Sequence, residues 1–259
     1  MSVLKTLVLA FGVLACTMSA YARKSTFYVN KVYDYPQTQL KEIIENYDRG
    51  AFCAPSAASN ILKTFHARKI DQGQLIKLLA SPEYMNTNPA VGTGLYDFMR
   101  GMTRYAGEYL SGVETIEYQG FGQYGAYGGG EGPPDLDWIA DGIGIKKGAW
   151  LVLHMFQYDE ETDEYTNVSG HLVTLVGYNL GARKDILIIN DSASFKEDGA
   201  TNEYISVEPI ETGNFALGRA KIPAAGYYKI TDGLDVIYGA RGESYDVIVI
   251  TGAVRMKVK

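Results

Sequence analysis

The chain has 259 residues, a formal net charge of −6 at pH 7 and only two cysteines. No block of Lys or Arg supplies the basic footprint that nucleic-acid binding demands, so nucleic acid is not an expected partner. Past the N-terminus, no stretch approaches the roughly 18 to 20 uninterrupted apolar residues of a membrane-spanning helix.

Residues 1–22 read as an export signal, with a charged start at Lys5, an apolar run from Leu7 to Ala15, and Ala20-Tyr21-Ala22 as an A-x-A cleavage site. Cleavage there leaves about 237 residues, the size of one large domain, 23–259. The expectation is a soluble, monomeric protein working outside the cytoplasm, periplasmic or secreted. Val13-Leu14-Ala15-Cys16 also loosely resembles a lipoprotein box, and the alternative is a chain anchored to a membrane face through a lipidated Cys16. Once the signal is gone Cys53 is the only thiol, so no intramolecular disulfide can form. A lone thiol in an oxidising compartment is either reactive or buried and inert.

Along the chain, Thr38 to Tyr47 predicts a short helix on Leu40, Ile43 and Ile44, ended by the turn Asp48-Arg49-Gly50. Pro55 suits a first helical turn, and Ala57, Ala58, Ile61, Leu62 and Phe65 continue with helical spacing, which puts Cys53 at a helix N-terminus. Further helices are expected at Asp71 to Leu79 and Gly94 to Leu110. Tyr118 to Pro134, rich in Gly and Tyr, reads as a long surface loop, either a connector or the lid of a groove. Asp135 to Ile145 reads as a short helix. Strands follow at Ala149 to Gln157, His171 to Tyr178, Ile186 to Asn190, Gly226 to Ile230 and Tyr245 to Ile250. The acidic run Asp159 to Glu164 is expected to be a solvated hairpin turn between the first two. Helices first and strands second predict an α+β domain, a helical part packed on an antiparallel sheet or barrel with the active site in the cleft between them.

A thiol is nucleophilic as thiolate, and the unpaired N–H groups and dipole of a helix N-terminus favour that form and can also bind an oxyanion. Cys53 has this placement. Of the three histidines, His66 lies about three turns along the same helix, too far to reach back, and His154 sits between Leu153 and Met155 as a sheet or core residue. His171 opens the run His-Leu-Val-Thr-Leu-Val-Gly-Tyr and is placed at the start of a strand, where a base can be presented to a cleft. A base needs a group that fixes its tautomer, and Asn190 and Asp191 end a strand twenty residues on.

His171 to Tyr178 followed by Ile186 to Asp191 resembles the His and Asn/Asp strands of papain-like cysteine peptidases. Cys53-Ala-Pro-Ser-Ala-Ala-Ser59 resembles the Cys-Gly-Pro-Ala helix of their bacteriocin-processing branch, and Gly92-Thr93-Gly94 and Lys147-Gly148-Ala149 match that branch's layout. The resemblance implies a papain-like fold without cofactor or metal, with Cys53 attacking a carbonyl, His171 moving the proton and Asp191 orienting His171; Asn190 is the alternative, since neighbouring strand residues face opposite ways. It also implies a Gln about six residues before the nucleophile, but position 47 is Tyr, which leaves Asn46 as the side-chain candidate for the oxyanion. The expected activity is hydrolysis of a peptide or amide through a thioester. The rivals are acyl or peptidyl transfer through the same thioester, and a binding module that has lost turnover.

Overall fold

Runs rich in Val, Ile and Leu in the second half of the chain build long strands, and alternate side chains along each share one face. The computed structural model describes residues 26–28, 32–35, 37–44, 51–66, 70–122, 125–181, 183–193, 202–217, 220–233 and 245–259; the expected signal at 1–22, with Cys16, and the segment 45–50, with Asn46, lie outside them. In chain order the elements are β1 (Phe27–Tyr28), a 3₁₀ turn (Gln37–Glu42), α1 (Cys53–Phe65), α2 (Gln72–Ala80), α3 (Leu95–Tyr109), β2 (Val113–Gly120), a second 3₁₀ turn (Gly125–Tyr127), β3 (Gly128–Glu131), α4 (Leu136–Asp141), β4 (Lys147–Asp159), β5 (Glu164–Asn179), β6 (Asp185–Asn190), β7 (Glu203–Pro209), β8 (Asn214–Leu217), β9 (Ala220–Pro223), β10 (Tyr228–Asp232) and β11 (Val247–Val258).

Antiparallel pairing runs β4–β5–β6–β7–β10–β11 and returns from β11 to β4, which closes a ring. Inside it, Leu151, Leu153, Val173, Leu175, Leu187, Ile189, Ile205, Val207, Ile230, Ile248 and Ile250 form one buried core. Helices α1 to α3 pack outside, where Trp150, Leu172, Val254 and Met256 of the strands meet Ala57, Ile61, Leu62, Phe98 and Met102. Burying side chains of this size contributes roughly 1.5–3 kcal/mol each. The chain is thus a mixed α and β structure with a large sheet and few helices, consistent with the expected α+β class.

Several expected boundaries differ. The first helix is a 3₁₀ turn of six residues, and Ile43 and Ile44 lie past its end. The Tyr118 to Pro134 segment is not a plain loop, because β2 runs to Gly120 and β3 pairs with it in parallel. Glycine, which composition reads as loop, is used there for close approach: a Cβ on Gly120 would sit 2.4 Å from the Cα of Gly252 in β11, and one on Gly252 2.5 Å from the Tyr118 hydroxyl. The helix expected over Asp135 to Ile145 is shorter, Leu136–Asp141, with the Asp135 carboxylate capping Trp138 N–H at 2.8 Å. β7, β8 and β9 were not expected; Tyr227 proves to be core, buried with Phe156, Tyr165 and Phe215, and Tyr228 packs on the barrel interior.

The tight contact at Gly252 carries a test. Tyr118 is buried and its hydroxyl donates to the Phe121 carbonyl at 2.8 Å, so the ring cannot simply step aside. Gly252→Ala is expected to lower unfolding free energy in urea by roughly 1–3 kcal/mol through overpacking; an unchanged midpoint would show that the β2–β11 seam relaxes freely.

Candidate active site

Helix α1 starts at Cys53, and its N-cap, Phe52, supplies no side-chain cap. The first intrahelical bond is Ser56 N–H to the Phe52 carbonyl at 3.1 Å, and Pro55 has no N–H to offer. The backbone N–H groups of Cys53 and Ala54 therefore have no intrahelical acceptor and end the helix beside the thiol.

The register between α1 and β5 is fixed by buried polar groups. Trp150 Nε1 and Thr174 Oγ1 both donate to the Ala57 carbonyl, at 2.9 and 2.8 Å. Asn60 Nδ2 donates to Thr174 Oγ1 at 3.3 Å, and Gln72 of α2 donates to Asn60 Oδ1 and Ser59 Oγ at 2.8 and 3.0 Å. Seven helical residues separate Cys53 from Asn60, a rise of about 10.5 Å, and three strand residues separate His171 from Thr174, about 10 Å. Pinning Asn60 to Thr174 thus brings Cys53 level with His171, and the two are hydrogen-bonded.

His171 Nε2 is bonded to Asp191 Oδ1 at 2.7 Å, with Asp191 fully buried, which leaves Nδ1 for the thiol. Asp191 Oδ1 also accepts from Ala193 N–H at 2.8 Å. Asn190 pairs with Thr174 across β5 and β6, and its side chain leaves on that side to donate to the Val32 carbonyl at 3.4 Å. Of the two candidates, Asp191 meets the histidine and Asn190 does not. His171 was expected to open a strand; instead it lies within the 16 residues of β5. Pairing continues through Gly170, which stands opposite His154 of β4.

Burial pushes the Cys53 thiol up, but its hydrogen bond to His171, the imidazolium charge and a backbone hydrogen bond from Leu172 outweigh that and the nearby Asp191 charge, so its pKa lies below the ordinary value. For His171 burial favours the neutral ring, yet the Asp191 charge, the bond to it and the contact with Cys53 raise its pKa well above the usual range. Both directions favour a thiolate–imidazolium pair.

The other histidines are elsewhere. His154 Nδ1 is 2.6 Å from Thr251 Oγ1, and burial holds its pKa down at about 4. His66 meets the Tyr105 hydroxyl at 2.5 Å past the end of α1. A cavity of about 970 Å³ lined by Phe65, His66, Tyr109, Ile145 and Lys146 also lies at that end, some 20 Å along α1 from Cys53 by helical rise. It is separate from the thiol. Among the described residues no group of three or more His, Cys, Asp or Glu could hold a metal ion, and no helix is long and apolar enough to cross a membrane. Sequence reasoning missed Asn60, Thr174 and Gln72; polar residues on otherwise apolar helix and strand faces were the available signal.

A family model described as "Peptidase_C39 like family" matches residues 29–212, which include Cys53, His171, Asn190 and Asp191. No curated protein matches the chain.

Proposed function

The chain belongs to the Peptidase_C39 like family, and hence among relatives of the papain-like cysteine peptidases; from that premise we propose that it is an exported thiol hydrolase of peptide or amide bonds, with Cys53, His171 and Asp191 as its working residues. The observation that carries the reading is the unbroken hydrogen-bond chain Cys53–His171–Asp191 at the start of α1. Cys53-Ala54-Pro55 supports a place near the bacteriocin-processing branch, and residues 1–22 support action outside the cytoplasm.

In this mechanism the Cys53 thiolate attacks the carbonyl carbon, and the oxygen's developing charge is met by the backbone N–H groups of Cys53 and Ala54. His171 gives its proton to the leaving amine as the C–N bond breaks, leaving a thioester on Sγ. The neutral imidazole then takes a proton from water as the hydroxide adds to the thioester, and the C–S bond breaks to release the acid, which restores the Cys53 thiolate beside the His171 imidazolium. Asp191 holds the ring with Nδ1 towards the thiol throughout.

The test is to incubate residues 23–259 with a peptide mixture and read new termini by mass spectrometry, beside Cys53→Ser. Cleavage is expected in the unaltered protein and a loss of at least about 10³-fold in the variant. Cleavage that survives in Cys53→Ser, or none in either protein, would defeat the hydrolase reading; the latter would favour a binding module.

A further inference from the structure

The segment 32–35 passes behind the site and is held on several sides. Val32 receives the Asn190 bond and packs on the helical cluster, and Tyr35 packs beside Leu40, Phe52 and Ile76. Lys63 of α1 lies 4.2 Å from the centre of the Tyr33 ring. Between these anchors Asp34 turns its carboxyl inwards, to a hydrogen bond from Asn60. Asn60 already donates to Thr174 and accepts from Gln72, so its remaining amide hydrogen goes to Asp34.

Two buried oxygens here have no partner among the described residues: Asp34 Oδ1 and Asp191 Oδ2. Among the described residues the groups acting on Asp34 are Asp191 from the end of β6 and Asn60 from α1, neither of them a cation, with His171 and Cys53 bonded in series beyond Asp191. The bond from Asn190 to the Val32 carbonyl brings this segment to the end of β6, and two buried carboxyl groups that act on each other do not both ionise readily. We propose that Asp34 is a positioning residue of this site, a buried carboxylic acid that holds a proton beside Asp191 so that the two carboxyl groups carry a single negative charge. The inference rests on Asp191 being the partner of His171.

Burial and the charge of Asp191, against the bond from Asn60, push Asp34 up to about 7. With the proton in place, Asp191 balances the imidazolium. When Asp34 loses it, a second negative charge tightens the hold of His171 on its own proton and opposes the thiolate, so proton delivery to a leaving group slows as pH rises through neutrality.

The experiment is to follow the ring signals of His171 by NMR from pH 5 to 9 in the protein labelled at histidine nitrogen, with the resonance identified by its loss in His171→Gln. A step near pH 7 is expected in the unaltered protein, with the ring still protonated, and its disappearance in Asp34→Asn, which keeps the shape and the contact with Asn60. A step that persists in Asp34→Asn, or none in the unaltered protein, overturns the proposal. Stability supplies a second readout. A carboxyl whose folded pKa is raised binds more protons folded than unfolded between about pH 4 and 7, so it destabilises increasingly across that window and by a constant amount above it. Asp34→Asn, or Asp34→Ser if the amide variant does not fold, should therefore gain in urea midpoint over the unaltered protein as pH rises from 4 to 7 and keep that gain at pH 8; a pH-independent difference refutes the assignment. Neither readout requires turnover, so failure of the Asp34 proposal and failure of the hydrolase reading are separable.

Discussion

Replacing His171 by Ala is expected to slow iodoacetamide alkylation of Cys53 at pH 6 by about 10- to 100-fold, and to carry the thiol's titration to its free value of about 8.5 or above. Burial is the largest influence on Cys53 and raises its pKa, so the thiolate depends on His171, which contributes both a hydrogen bond and a charge. A free thiol at pH 6 is under about one per cent ionised, and the lower intrinsic nucleophilicity of a low-pKa thiolate returns part of the difference. Rates measured from pH 4 to 9 on residues 23–259 and on the variant decide the matter. Superimposable profiles would mean that the imidazole does not sustain the thiolate, and Cys53 would become a small core residue at a helix start.

Much of this arrangement could be read from local pattern. The spacing of Ala57, Ala58, Ile61, Leu62 and Phe65 with Pro55 gives α1 its start at Cys53, because helix period and proline tolerance are properties of a few neighbouring residues. The short apolar run Ile186 to Ile189 reads as a strand, and the strand begins one residue earlier, at Asp185. What local pattern could not give was pairing across the chain. β2 joins β11, more than a hundred residues away in sequence, and β7 lies between β6 and β10. A closed ring is a statement about partners, and partners leave no period in a single strand.

The site was legible to a similar depth. Cys53, His171 and the Asn190/Asp191 pair stood out by residue type, order and element, yet their contact depends on Asn60, Thr174, Gln72 and Trp150, which set α1 against β5. Those are ordinary polar or aromatic residues whose meaning appears only when both surfaces are present. His171 was expected at a strand end because Ser169-Gly170 looks like punctuation; instead both residues pair within β5, opposite Met155 and His154 of β4. Asp34 gave no signal, since a single acidic residue between Tyr33 and Tyr35 reads as exposed. Asn46 remains the side-chain candidate for the oxyanion by sequence position alone, lying outside the described residues.

The choice between Asp191 and Asn190 yields the second large effect. Asp191→Ala removes a fully buried carboxylate bonded to His171 at 2.7 Å and takes away the leading influence that keeps the ring protonated against burial. Peptide cleavage should fall on the order of 10⁴-fold, the loss typical of a third member whose absence frees the tautomer and orientation of the base. Asp191→Asn should lose less, because an amide oxygen can still accept from Nε2 although the charge is gone. Asn190→Ala should leave cleavage within about threefold and cost roughly 0.5–1.5 kcal/mol of stability, since among the described residues its bond goes to the Val32 carbonyl and not to the histidine. Measured side by side, the three variants order the two positions. Were Asn190→Ala to lose cleavage while Asp191→Ala kept it, the histidine's working partner would have to be Asn190, and β6 would have to present its opposite face during turnover.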